Sequence, residues 1–157
     1  MKAIAVFTES VVRGTVRFET ANMPGKVNIF INLTGTGLKK NGKHGFHIHE
    51  YGDLSDGCTS ACDHYNPFNK QHGCPGSTER HVGDLGNIKT DINGNAMYST
   101  YDDVIQLSGE HSIVGRMLVI HADPDDCGMG VGDSRAESLK TGNAGKRIAC
   151  AVIGYSK

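Results

Sequence analysis

The sequence is poor in several features that other protein classes need. It has no tryptophan and only four prolines, and no apolar run approaches the roughly 18 residues of a membrane-spanning helix. Its 16 basic and 17 acidic residues leave a formal net charge of −1, which argues against nucleic acid or an anionic membrane as a partner. The apolar start, residues 1–8, is too short for a secretory signal. A cytoplasmic protein is therefore expected.

Glycine takes the place of proline as the main turn residue. The chain has 21 glycines, nearly twice the average usage of about 7%, and many of them separate short runs rich in valine, isoleucine and phenylalanine. Such runs between turn residues favour an all-β protein. We predict eight strands, over residues 3–8, 14–19, 27–33, 43–49, 82–90, 96–101, 115–121 and 147–153.

The predicted strands are joined by two kinds of connection. Short hairpin signals, in which glycine supplies a positive φ, predict up-and-down pairing of the flanking strands. Residues 51–80 and 122–146 exceed the about 12–15 residues beyond which a loop is usually functional, and a short helix is expected at 136–140. A chain of 157 residues fits one domain, a barrel with two functional loops. The hairpin signals are Pro24-Gly25, Asn41-Gly42 and Asn93-Gly94.

Six of the eight histidines form an ordered series along the chain. His47 and His49 are two apart on one predicted strand, so both imidazoles lie on one face and the neighbouring apolar side chains on the other. His121 ends another predicted strand with the same alternation. A His-X-His pair by itself is usually only a polar position on a strand. The other members of the series, His64, His72 and His81, make a two-metal site the better interpretation.

The residue types divide this series into two ligand sets. Three imidazoles and a carboxylate, the right number and type for a closed tetrahedral zinc site, stand within the first long loop and the strand after it. The all-nitrogen set on the strands suits copper, which has a high affinity for imidazole. Copper still lacks a fourth nitrogen, and His64 supplies it if each of its ring nitrogens binds one metal. The zinc set is His64, His72, His81 and Asp84; the copper set is His47, His49, His121 and His64.

The remaining polar residues near the series have simpler interpretations. His44 at a strand entrance and His111 in a turn are expected to be structural or exposed. Asp125 and Asp126 follow His121 and are either solvated loop charges or acceptors for the ring N–H groups of metal-bound histidines; Asp125 is the better candidate. Five cysteines leave at least one thiol unpaired or bridging to another chain, and free thiols are the default in a reducing compartment.

Three segments make the sequence resemble the copper/zinc superoxide dismutases almost end to end. They are residues 45–53 (GFHIHEYGD), 80–87 (RHVGDLGN) and 140–150 (KTGNAGKRIAC). The resemblance implies a Greek-key β-barrel, an architecture grouped with the immunoglobulin-like sandwiches. It also implies one copper and one zinc per chain on the two ligand sets above, with His64 shared and Asp125 linking a ligand of each metal.

The resemblance implies the activity as well. The reaction would convert two superoxide anions and two protons to dioxygen and hydrogen peroxide by cycling of Cu(II) and Cu(I), with Arg147 orienting the anion and His64 passing a proton. Lys140, Glu137 and Thr141 would form the charged rim that steers the substrate, as this family is known to do. A cytosolic homodimer is implied, and a copper chaperone is a candidate partner.

Two of the five cysteines match this family's pattern, and the other three depart from it. Cys58 and Cys150 match its intrasubunit disulfide, which overrides the free-thiol default for that pair. Cys62, Cys74 and Cys127 stand where the family commonly has other residues, as does Asp63. A second bridge between Cys62 and Cys74 is one alternative; spare thiols are the favoured one.

Two other functions remain as alternatives at this stage. A metal-binding or copper-delivery domain would keep the fold without catalysis, although such relatives usually lose a copper ligand or carry an added domain. A dinuclear zinc hydrolase is the weaker option, because those sites normally use bridging carboxylates and leave an open water position.

Overall fold

The computed structural model describes all 157 residues, as eight antiparallel strands in one sheet. Their order across the sheet is β5-β4-β7-β8-β1-β2-β3-β6. The edge strands approach each other, since the Tyr98 hydroxyl on β6 accepts a hydrogen bond from the backbone N–H of Lys89 on β5 at 3.1 Å. The predicted eight-stranded Greek-key barrel is confirmed as a nearly closed one. The strands are β1 (Lys2–Thr8), β2 (Arg13–Thr20), β3 (Val27–Thr34), β4 (Lys43–His49), β5 (Asp84–Lys89), β6 (Ala96–Asp102), β7 (Met117–His121) and β8 (Arg147–Tyr155).

The strands differ in how many of their faces are buried. On β3 the inward residues alternate with more exposed ones, as expected for a sheet with one solvated face. On β4 and β7, by contrast, nearly every residue is buried. Phe46 and Ile48 point into the main core, while Met117 and Val119 pack with Ala61 in a second small cluster. The outer faces of β4 and β7 are therefore covered by the long loops.

The two long connections lie between β4 and β5 and between β7 and β8. The first contains a 3₁₀ turn, Thr59–Ala61. The second contains a 3₁₀ turn, Gly132–Ser134, followed by α1 (Arg135–Thr141), which ends at Gly142 with φ 75°. The predicted helix at 136–140 lies within α1. No helix has the length and apolar character needed to cross a bilayer.

The hairpin prediction holds at one of its three positions. Pro24-Gly25 joins β2 and β3, which pair along their whole length. At Asn41-Gly42 and Asn93-Gly94 the prediction is wrong, because β3 does not pair with β4, nor β5 with β6. Asp91 Oδ1 accepts the backbone N–H groups of Asn93 and Asn95, so the turn itself forms as its residues predict. A tight turn reverses the chain but does not choose the partner strand.

β5 begins two residues later than predicted, at a turn between His81 and Asp84. The backbone N–H of Asp84 donates to the carbonyl of His81 at 3.2 Å, and the backbone N–H of His81 donates to Asp84 Oδ2 at 2.7 Å. The aspartate thus caps its own turn before the strand starts. This arrangement places the two side chains beside each other.

Two disulfides cross the structure. Cys58–Cys150 is present, as the resemblance implied, with a sequence separation of 92; closing such a loop is worth about 4–5 kcal/mol in the chain-entropy model. The second joins Cys74 to Cys127 with a Cα–Cα distance of 5.0 Å, and Cys62 is free and exposed. The expectation of spare thiols at both Cys62 and Cys74 is therefore wrong for Cys74, and so is the alternative Cys62–Cys74 bridge. The tertiary contact of the two long loops decides the pairing.

Candidate metal centre

The structure brings both predicted ligand sets together. Within each set the ligand atoms lie within 4.8 Å of one another, and every member is buried. His64 belongs to both sets, and its ring centroid lies 4.1 Å from that of His47 and 5.2 Å from that of His72. The two sets therefore adjoin at a single imidazole. The sets are His47, His49, His64 and His121, and His64, His72, His81 and Asp84.

The strands and the first loop position these side chains. β4 and β7 are paired neighbours, and the ring centroid of His121 at the end of β7 lies 4.8 Å from that of His47 and 5.7 Å from that of His49. The loop comes alongside β4 because the backbone N–H of Ile48 donates to the carbonyl of Gly83 at 2.8 Å, and that of Tyr65 donates to the carbonyl of Ile48 at 2.8 Å. An isolated bridge then aligns His64 with His49. At Gly83 a side chain would collide with the Ile48 carbonyl.

One ring nitrogen of each strand histidine is held by an oxygen acceptor. His47 Nε2 donates to Asp125 Oδ2 at 2.6 Å, His49 Nδ1 to the Cys62 carbonyl at 2.7 Å, and His121 Nδ1 to the Gly145 carbonyl at 3.1 Å. Oxygen acceptors fix which nitrogen carries the proton in each ring. The opposite nitrogens therefore hold free lone pairs.

Those opposite nitrogens are buried and have no hydrogen-bond partner. An unsatisfied buried polar atom costs roughly 1–3 kcal/mol, so several in one place need an explanation. Imidazole lone pairs that converge without a proton donor are what a transition metal binds. The donor set thus fits a metal ion on chemical grounds. The unpartnered atoms are His47 Nδ1, His49 Nε2, His121 Nε2 and, on the other side, His72 Nδ1.

The second set has the dimensions of a tetrahedral site. Asp84 Oδ1 lies 2.9 Å from His64 Nδ1, 3.0 Å from His72 Nδ1 and 3.2 Å from His81 Nδ1. His64 Nδ1 and His81 Nδ1 are 3.2 Å apart. Metal–ligand bonds of about 2.0 Å give a tetrahedron with edges of roughly 3.3 Å. The His72 Nδ1 lone pair is not aimed for a hydrogen bond to Asp84 despite the short distance. The four atoms thus surround a common centre.

Asp125 links the two ligand sets by accepting a hydrogen bond from one histidine of each. Its Oδ2 accepts from His47, and its Oδ1 accepts from His72 Nε2 at 2.8 Å. Asp126 points elsewhere and accepts hydrogen bonds from Ser138 and Asn143 at 2.7 Å each, which ties the second loop to α1. Of the two aspartates considered from the sequence, Asp125 is the one in contact with the histidines.

Burial and hydrogen bonding set the protonation states in opposite directions. Burial lowers the pKa of His47 to about 3 and that of His121 to about 4, and burial also lowers the pKa of His49. These rings are therefore neutral at pH 7, the form that binds a metal. For His72, burial is outweighed by the hydrogen bond to Asp125 and by the nearby negative charge of Asp84, which raise its pKa to about 9.

A cavity of about 660 Å³ opens beside the first set. Arg147 lines it, with Nη1 donating to the Cys58 carbonyl at 2.7 Å and Nη2 to the Cys62 carbonyl at 2.5 Å. The guanidinium is thus fixed at the wall near the histidines. The predicted steering residues Lys140, Glu137 and Thr141 line the same cavity, together with His49, His64 and His121.

The cavity also contains residues that the sequence interpretation did not select. Lys70, Asp63 and Glu50 line it. The sequence offered one signal for two of them: Asp63 is next to His64, and Lys70 is two residues before His72. This proximity to proposed ligands could have suggested that both line the cavity. His44 has the structural role expected of it, with Nδ1 bonded to the His121 carbonyl at 2.8 Å and Nε2 accepting from the Lys39 backbone N–H at 3.0 Å.

The fold and the two ligand sets define a class: a Greek-key barrel with a two-metal centre at the base of an open cavity. Comparison with known proteins agrees. Residues 12–153 match the sequence profile of the family described as copper/zinc superoxide dismutase. The superoxide dismutase [Cu-Zn] of Paramecium bursaria Chlorella virus 1 is 60% identical over 100% of this chain and 80% of its own length. That of Humicola lutea is 52% identical over 99% of both chains.

A solved structure agrees as well. The crystal structure of the clock protein EA4 superimposes with a TM-score of 0.90 at 45% identity, covering 99% of this chain and 94% of that one. The chain therefore belongs to the copper/zinc superoxide dismutase family. It is an oxidoreductase that converts superoxide to dioxygen and hydrogen peroxide, with copper and zinc as its cofactors.

Proposed function

We propose that copper binds to the set that faces the cavity and zinc to the set behind it, one of each per chain. The single observation that carries this assignment is the membership of His64 in both sets, with Nδ1 beside Asp84 and the other ring nitrogen left for the cavity side. A redox metal must meet its substrate, whereas a structural zinc site is closed. Copper would be held by His47, His49, His64 and His121, and zinc by His64, His72, His81 and Asp84.

The chain's own residues would prepare the reaction. Bound in these sites, copper supplies the one-electron chemistry and zinc, which keeps one valence, holds the shared ring. Arg147, fixed by two carbonyls, binds and orients the superoxide anion with its planar set of donors. Each peroxide formed consumes two protons. The cavity-facing nitrogen of His64 would hold one of them only while it is not bound to a metal, and would then donate it to the product.

The rim of the cavity would guide the substrate. Lys140 adds positive charge on the path to Arg147. Glu137 lies beside it and accepts a hydrogen bond from the Thr141 hydroxyl at 2.7 Å, which fixes the acidic side chain within α1. Paired charges of this kind shape the local field and leave the net charge near zero. Steering is therefore assigned to these three residues.

We also propose a homodimer. Tyr51 and Leu54 on the first loop are 51% and 54% exposed, and the backbone at Gly52 between them packs against Gly115 and Val152. A large apolar pair on a well-anchored segment suits an interface between copies. Tyr51→Glu should therefore shift sedimentation velocity toward the monomer, and Ile92→Glu, at another exposed apolar position, should not. An unchanged Tyr51→Glu assembly would contradict this interface.

The remaining proposals concern the location of the protein, its domain organisation and its loading with copper. We propose a cytoplasmic location, a single domain over residues 1–157 with working loops at 51–80 and 122–146, and loading by a copper chaperone. The membership of the family supports them. Cell fractionation tests the location. Comparison of copper content after expression with and without a chaperone tests the loading.

One experiment separates the proposed site from the alternative functions. Copper and zinc content and superoxide removal are measured on the same sample of the wild type, His121→Ala and the control His111→Ala. We expect one copper and one zinc in the wild type and in the control, and loss of copper with retention of zinc in His121→Ala. Zinc in both sites without activity would indicate a hydrolase, and copper without activity a delivery protein; either would overturn the proposal.

A further inference from the structure

The second disulfide lies at the zinc side of the centre. Cys74 follows the zinc ligand His72 by two positions, and Cys127 follows Asp125 by two positions, so the bond joins the two long loops where both enter the site. Its partners are 53 positions apart in sequence. The roles proposed for Arg147 and His64 do not involve this bond.

The same two segments are also joined by hydrogen bonds. His72 Nε2 donates to Asp125 Oδ1 at 2.8 Å, and the backbone N–H of Cys127 donates to that oxygen at 2.7 Å. Gly128 continues the contact, because a Cβ there would lie 2.8 Å from the His72 carbonyl oxygen. The disulfide therefore joins the same two loop segments that these hydrogen bonds join.

The other side of the His72 segment is tied to the zinc set itself. The backbone N–H of Gly73, between His72 and Cys74, donates to Asp84 Oδ2 at 3.0 Å. A shift of the Cys74 segment would thus disturb two zinc ligands at once. Gly142 closes the remaining space, since a Cβ there would lie 2.0 Å from Asp125 Oδ1 and 2.5 Å from His72 Nε2.

A covalent link changes what such a set of contacts can do. Two loops joined only by hydrogen bonds separate whenever those few bonds break together, whereas cross-linked loops keep a high effective concentration of one partner near the other. In the chain-entropy model the gain grows with the length of chain that the link closes, which is 53 positions here. The copper side depends less on such a link, because three of its four histidines, His47, His49 and His121, lie on β4 and β7.

We propose that the Cys74–Cys127 disulfide is a positioning element for zinc: it holds His72 against Asp125 and so slows the departure of the metal from its site. This inference rests on the proposed zinc site. The two cysteines belong to neither ligand set and do not line the cavity, so the expected effect is on how long zinc stays bound.

The test compares zinc release from fully loaded proteins to a chromogenic chelator at neutral pH. In Cys74→Ser/Cys127→Ser we expect release about ten-fold faster than in the wild type, the low end of what loss of outer-shell support costs. The visible absorption of bound copper should stay unchanged. In the metal-free proteins, hydrogen exchange at the backbone amide of residue 127, which donates to Asp125 in the wild type, should be faster in the double variant than in the wild type.

Two controls separate positioning from general stability. Cys62→Ser removes the free thiol and should release zinc at the wild-type rate. Ile31→Val weakens the core on β3, far from both loops, and should also leave release unchanged. Should the serine pair fold poorly, Cys74→Ala/Cys127→Ala serves in its place.

Two results would overturn the inference: wild-type release rates in the double variants, or three alkylated thiols instead of one in the unreduced wild type. Zinc content and superoxide removal of the wild type are measured on the same samples. Absence of zinc there would count against the proposed function as well. Normal zinc and activity with unaltered release in the double variants would refute the positioning role alone.

Discussion

Arg147 donates from Nη1 to the backbone carbonyl of Cys58 at 2.7 Å, across 89 positions of sequence. Cys58 is itself bonded to Cys150, three residues after Arg147. The disulfide and the hydrogen bond thus form one small closed unit at the cavity wall. The orientation of the guanidinium depends on the first loop as much as on β8.

Replacement of this arginine should impair turnover. Arg147→Ala is expected to lower kcat/KM for superoxide by roughly ten- to one-hundred-fold, the equivalent of one charge-assisted hydrogen bond, with both metals retained. Arg147→Lys keeps the charge but not the planar set of donors, so its kcat/KM should lie between those of the wild type and Arg147→Ala. Pulse radiolysis with metal analysis of the same samples measures both effects. Full activity of Arg147→Ala at physiological salt would contradict the assignment.

Asp63 should restrain the attraction of anions. It lines the cavity. Partial burial lowers the pKa of Arg147, and the negative charge of Asp63 opposes that shift. Asp63→Asn removes a negative charge on the substrate path, so the rate should rise at low ionic strength, and the gain should shrink as salt is added. Asp56→Asn is the matched control, because it changes the net charge equally outside the cavity. Equal responses from both variants would show that only net charge matters.

Cys62 occupies a backbone conformation that favours glycine, with φ 59°. Cys62→Gly should therefore raise the free energy of unfolding by about 1 kcal/mol. Its carbonyl, which holds His49 and Arg147, is kept, so activity should be unchanged. Cys62→Ala removes the thiol but keeps the strain. Chemical unfolding of the three proteins distinguishes them, and an equal gain from alanine would refute the backbone explanation.

The metal-free protein should lose stability on both sides of pH 6.5. His47 and His121 have folded-state pKa values lowered to about 3 and about 4, so the unfolded chain binds more protons below 6.5, and stability falls as the pH drops toward those values. His72 has its pKa raised to about 9. Its contribution is complete below 6.5 and is lost as the pH rises to about 9.

Urea unfolding of the metal-free protein across this pH range measures how the free energy of unfolding falls on the acid side (the acid limb) and on the alkaline side (the alkaline limb) of pH 6.5. His72→Gln should flatten the alkaline limb and leave the acid limb in place. An alkaline limb that persists in the variant would mean that another group is responsible.

Much of the site could be predicted from local sequence because its rules are local. Alternation along a strand places His47 and His49 on one face whatever the rest of the chain does, and imidazole and carboxylate chemistry separates the proposed copper set from the proposed zinc set. The turn of Asp91 with Asn93 and Asn95 also formed as its residues predict. The resemblance to the family supplied Arg147 and the Cys58–Cys150 bridge.

What the sequence by itself determined was the set of strands, their inward faces and which side chains are proposed as metal ligands, since these follow from side-chain chemistry and a period of two. Only the tertiary structure decided that β5 does not pair with β6, that Cys74 meets Cys127, and that Asp63 faces the cavity beside Arg147. Each of these depends on which distant segments share one surface. That choice is made by burial summed over the whole barrel, and no short stretch of residues encodes it.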